Sequence, residues 1–135
     1  MLTSFRIALS LTLIFVFEAP QVYAYGSSQS SSHCDKPVFS EFQPSANKYL
    51  QSLNEFSFLS SSNTNANSLE VTVSAGPIKY HLTHNDLDID VQKSGRLEVS
   101  GKLPRPLEKG FARISITAHS KPGCEKTDGY LVRIQ

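Results

Sequence analysis

The stretch SLEVTVSAGPIKYHLTHNDLDIDV, residues 68–91, alternates apolar and polar side chains and is broken at Ala75-Gly76-Pro77 and at His84-Asn85-Asp86. On an extended chain Leu69, Val71 and Val73 share one face, while Glu70, Thr72 and Ser74 share the other. A period of two is that of a strand with one face buried and one in water. Ile78, Tyr80 and Leu82, and then Leu87, Ile89 and Val91, repeat the pattern.

The same reading extends in both directions. KPVFSEF (36–42), NEFSFLS (54–60), RLEVSGKL (96–103), ARISITAH (112–119) and GYLVRIQ (129–135) are further candidate strands. Lys93-Ser94-Gly95 and Asp128-Gly129 supply turn residues between them. Phe56, Phe58, Leu97, Val99, Ala112, Ile114, Ile116, Ala118, Tyr130, Val132 and Ile134 complete an inward set large enough for two packed sheets. Strands about ten residues apart predict an all-β domain, an immunoglobulin-like β-sandwich of 7–8 strands. In ANKYLQSL, residues 46–53, the placement of Tyr49, Leu50 and Leu53 also permits a turn or two of helix. SSSNTNANS, residues 60–68, reads as a mobile polar loop.

The start of the chain sets the expected compartment. Arg6 precedes an apolar run from Ile7 to Phe17, followed by Pro20 and Val22-Tyr23-Ala24. That run is shorter than the ~20 residues that span a bilayer and has the form of a secretory signal. Residues 1–24 are accordingly expected to be a signal peptide, 25–33 a flexible Ser-rich leader and 34–135 the folded domain. A soluble periplasmic or secreted protein follows, without a membrane anchor, because Cys34 lies beyond a polar Ser/Gln run instead of closing the apolar segment. The formal net charge is +1, and no basic stripe of the kind that binds nucleic acid is present.

In an oxidising compartment the two cysteines, Cys34 and Cys124, most simply form one disulfide. Closing a loop of that length removes unfolded-state freedom worth about 4–5 kcal/mol in the chain-entropy model.

Candidate sites are few. His81 and His84 fall on opposite faces of a strand and do not share a metal. Asp86, Asp88 and Asp90 open like a calcium loop, but Val91 and Leu97 stand where such a loop needs Gly and Glu. The aspartates read instead as the wet face of a strand, where charge discourages edge-to-edge association. No nucleophile elbow, phosphate-cradling glycine loop or paired catalytic carboxylates appear, and no enzyme activity is expected.

The last third, PLEKGFARISITAHSKPGCEKTDGYLVRIQ (106–135), resembles the final hairpin of small secreted immunoglobulin-like domains. In Gly110, the alternating run Ala112–Ala118, Asp128-Gly129 and the closing Leu-Val-Arg-Ile strand it is similar to the periplasmic copper-carrier family of copper-resistance systems. That resemblance implies a sandwich binding cupric ion through an N-terminal histidine with Asp and His of the last loop, and in some members cuprous ion through a Met-rich strand. Here Tyr25 would follow cleavage, Tyr130 stands where the family's loop carries His, and Met1 is the only methionine. A thioether site is therefore excluded from the mature chain. The donors left for a cupric site are His33, His119 and Asp128, if the disulfide carries the leader to the loop.

The expected function is that of a non-catalytic binding or structural module, monomeric, without a cofactor. One alternative is a copper or zinc ion handled at the His33/His119 end. The other is an accessory subunit that docks an exported enzyme, the protein partner lying in the cell envelope.

Overall fold

The computed structural model describes residues 34–135. The signal peptide and leader readings, and His33, lie outside the described residues. The strands are β1 (Phe39–Gln43), β2 (Tyr49–Leu50), β3 (Leu53–Ser60), β4 (Glu70–Ala75), β5 (Ile78–Thr83), β6 (Asp88–Val91), β7 (Leu97–Leu107), β8 (Gly110–His119) and β9 (Glu125–Ile134). Short 3-10 turns at Ala66–Ser68 and His84–Asp86 join β3 to β4 and β5 to β6.

The strands form two sheets. One has the order β1-β3-β7-β6 and the other β2-β9-β8-β4-β5. All pairings are antiparallel except β2 on β9. The fold is the immunoglobulin-like sandwich that the alternating pattern predicts. Its core is that pattern's apolar side: Val71, Val73, Val99, Ala112, Ile114, Ile116 and Val132 have no accessible surface, and Phe58 packs edge-on against Phe39 with ring centroids 5.8 Å apart. Burial of these side chains is the main source of stability, at about 25 cal/mol per Å² of apolar surface.

Four local readings are corrected. The helix permitted at 46–53 is absent: Asn47 takes a left-handed φ of 61°, and Tyr49-Leu50 is drawn into a parallel pair with Arg133-Ile134. Backbone bonds from Arg133 to Lys48 and from Gln135 to Leu50, both 2.9 Å, satisfy groups that a helix would have paired internally. Ile78 and Val91, read as inward, are 44% and 71% exposed. They lie at the ends of β5 and β6, the strands that edge their sheets, where little of the opposite sheet covers them.

The strand read as RLEVSGKL continues through Pro104 and Pro106 to Leu107. This is tolerated because the β3–β7 register skips between Leu53↔Leu107 and Glu55↔Lys102, so the prolines fall where no ladder bond is required. The polar loop after Ser60 is knitted down, not loose. Ser60 and Thr64 are buried and share a 2.5 Å hydroxyl hydrogen bond, and Asn63 donates to the Asp35 carbonyl at 2.9 Å.

Candidate functional site

The β8–β9 hairpin carries most of the expected site residues. Its register runs without a break from Gly110↔Ile134 to His119↔Glu125. The connection is Ser120–Cys124, closed by the Cys124 N–H donating to the Lys121 carbonyl at 2.9 Å, with Gly123 at φ 90°. A side chain rarely adopts that φ, which is why the turn is made at a glycine. Asp128-Gly129 is no turn: both residues lie inside β9.

Cys124, 2% exposed, is joined to Cys34 across a Cα–Cα distance of 5.9 Å. The expected disulfide is thus present. It fastens the first described residue of the domain to the turn that follows His119.

His119 is held from both sides of its peptide. Its N–H donates to Ser68 Oγ at 2.9 Å, and its carbonyl accepts from the Asn65 N–H at 2.9 Å. Ser68 Oγ in turn lies 2.6 Å from the Asn65 carbonyl and 3.2 Å from that of His119. The segment before β4 therefore clamps the end of β8. The ring is half-buried, and its Nδ1 is buried with no hydrogen-bond partner among the described residues. A buried imidazole nitrogen left without a partner costs free energy, which a ligand at that atom would recover.

The register decides which residues share a face with His119. Along β8, Ala112, Ile114, Ile116 and Ala118 point into the sandwich, so Phe111, Arg113, Ser115, Thr117 and His119 point out. Glu125, directly opposite His119, points out with it. Asp128 is opposite Ile116 and lies on the inner side, where it pairs with Lys126 at 3.7 Å. The structure thus separates Asp128 from His119, because an offset of three along a strand reverses the face. Starting the last strand at Gly129 concealed this parity, and with it the place of Glu125. Ser68, in a segment read as mobile, carried no signal in the sequence at all.

Elsewhere the histidines and acids have structural tasks. His81 Nδ1 lies 3.1 Å from Thr72 Oγ1 on the outer face of the five-stranded sheet, and His84 sits in the following turn. Asp86 accepts the Thr83 N–H at 2.9 Å and caps that turn, while Asp88 and Asp90 are exposed. Among the described residues no three His, Cys, Asp or Glu side chains come together as a metal-holding group. On the inner side of β9 the Tyr130 ring lies 4.9 Å from that of Phe42, and its hydroxyl is buried without a partner. Desolvation pushes the Tyr130 pKa up to about 12.

An open groove of about 590 Å³ lies at the far end of the sandwich, between the β4–β5 turn and the β7–β8 turn. Ala75, Pro77, Ile78, Pro106 and Leu107 make it mainly apolar, with Glu108 and Lys109 its only charged lining residues. It has neither a histidine nor a hydroxyl or thiol nucleophile, so it offers no acid–base or nucleophilic constellation.

No protein-family model matches the chain, and no curated protein matches it. Solved structures do. PcoC, a methionine-rich copper resistance protein from Escherichia coli, matches with a TM-score of 0.52 at 14% identity, over 75% of this chain and 100% of that one. CopC from Methylosinus trichosporium OB3b matches with a TM-score of 0.54 at 12% identity, over 73% of this chain and 93% of that one. At these identities the likeness is one of fold. The sandwich is the one these proteins share, as the resemblance of the last third implied.

Proposed function

We propose that this protein is an exported, non-catalytic β-sandwich that handles cupric ion at the end closed by the Cys34–Cys124 disulfide. The observation that carries this reading is the clamped, half-buried His119 with its unpartnered buried Nδ1, beside a disulfide that tethers residue 34 to the same turn. The fold shared with PcoC, a copper resistance protein, supports copper as the cargo, and with it the periplasmic compartment.

The donor set has to differ from a methionine-rich one. Met1 is the only methionine, so the donors are nitrogen and oxygen, a set that suits cupric ion and zinc and gives no soft thioether site for cuprous ion. His119 is the anchoring donor and Glu125 the carboxylate that shares its face. His33, the neighbour of Cys34 in the sequence, is proposed as the second imidazole. Asp128 is left out of the set because it faces the other way.

An equilibrium titration of the disulfide-bonded protein with cupric ion tests this. Near-stoichiometric uptake is expected, abolished by His119→Ala and unchanged by Asp128→Asn; a parallel zinc titration separates the two metals. Uptake that survives His119→Ala overturns the site.

A further inference from the structure

The outer face of the five-stranded sheet changes character along its strands. At the end away from the disulfide, two cross-strand rows follow from the register. One is Tyr49, Arg133 and Phe111, from β2, β9 and β8; the other is Leu131, Arg113, Ser74 and Lys79, from β9, β8, β4 and β5. These rows hold three cations and no carboxylate. They also hold Tyr49, Phe111 and Leu131, exposed at 58%, 62% and 42%.

Arg133 is positioned, not loose. The Arg133 guanidinium lies 5.2 Å from the centre of the Tyr49 ring and 5.6 Å from that of Phe111, and it donates to the Tyr49 hydroxyl. Arg113 lies across Gly129. Among the described residues neither guanidinium has a carboxylate within 4.0 Å. Exposed aromatic rings with arginine, and no Asp or Glu among them, are the composition of the energetic centre of a protein interface. Stacked guanidinium groups with free donors are preorganised for carboxylates. An acidic protein surface fits this patch.

The same chain carries such a surface. On the outer face of the other sheet, Asp90 of β6 lies directly opposite Glu98 of β7, and Asp88 lies two residues along from Asp90. All three are exposed, and none has a cation within 4.0 Å among the described residues. Like charges directly opposite each other destabilise a strand pair, and a cationic neighbour relieves that repulsion. We infer that the Tyr49/Arg133/Phe111 patch of one molecule docks on the Asp88/Asp90/Glu98 strip of a second copy of this chain. The two surfaces are different and lie on opposite sides of the sandwich. The contact is therefore head-to-tail and does not close at a dimer. At high protein concentration this replaces the monomer expected from the sequence.

Sedimentation velocity on the disulfide-bonded protein, over a wide concentration range, tests the inference. The weight-average sedimentation coefficient should rise with concentration at about 0.01 M salt and stay flat at about 1 M, where the Debye length falls from about 30 Å to about 3 Å. Two double variants complete the test: Arg113→Glu with Arg133→Glu, and Asp90→Lys with Glu98→Lys. Each alone carries like charge on patch and strip and should be monomeric, whereas an equimolar mixture should associate again. Restored association also shows that both variants fold. A wild-type protein that stays monomeric at low salt, or an association indifferent to salt and to both variants, overturns the inference.

Discussion

Arg113 lies across the backbone of Gly129, so closely that a Cβ at residue 129 would come within 2.7 Å of Arg113 Nη2. The two residues are neighbours on adjacent strands, Gly129 pairing with Ser115, and the missing side chain is what lets the guanidinium lie flat on the sheet. A glycine in a strand interior often marks such a close approach.

Gly129→Ala is therefore expected to displace the free end of a flexible, exposed side chain and to cost less than about 1 kcal/mol, in line with other surface substitutions. Gly101 supplies the contrast. A Cβ there would meet Phe56 Cζ at 2.5 Å and Leu87 Cδ2 at 3.0 Å, both on buried side chains. Gly101→Ala should cost about 1–3 kcal/mol, the range for overpacking a core. Urea midpoints measured side by side check the order; equal losses would mean that Arg113 is as fixed as Phe56.

Ser68 holds the peptide of His119, and removing its hydroxyl leaves the His119 N–H without its acceptor. Ser68→Ala should lower stability by about 1 kcal/mol, since the group is only part-buried. It should also speed amide exchange at His119 well beyond that at Ile114 in the middle of the same strand, and weaken cupric uptake without removing a donor. Unchanged amide protection at His119 would show that the clamp does not hold the strand end.

Much of this architecture is legible in the sequence, because the period of two is a local property of each strand. The buried runs Leu69-Val71-Val73 and Ala112-Ile114-Ile116-Ala118 emerge where the alternation places them. The position of a residue relative to the sheet edge is not local, and so Ile78 and Val91 were read as inward although their strands lie at the rims. The candidate site shows the same division. Cys34 and Cys124 pair as expected because only two cysteines exist. The face of Asp128 depends on where the hairpin turns, and the turn is at Ser120–Cys124, not at Asp128-Gly129. Glu125 and Ser68 meet His119 through cross-strand register and a contact between segments distant in sequence, neither of which leaves a signature in composition or spacing.

Tyr130 gives the chain a measurable sensitivity to alkaline pH. Its hydroxyl is buried without a partner and its pKa is pushed up to about 12 by desolvation. Burial penalises the phenolate, so the folded chain keeps this proton at pH values where the unfolded chain, titrating near its ordinary value of about 10, has released it. The folded state then binds more protons than the unfolded one, and stability falls as pH rises. The contribution is whole below about 10 and is lost progressively as pH climbs from about 10 through about 12. Tyr130→Phe keeps the ring against Phe42 and removes the titrating hydroxyl. At neutral pH it should leave stability unchanged or raise it by up to about 1 kcal/mol, because an unsatisfied buried group is removed. Between about pH 10 and 12 its unfolding free energy should fall less steeply than that of the wild type. Every other residue is common to the two proteins, so the difference between the two curves isolates residue 130. Parallel curves across that window would refute the burial of its hydroxyl.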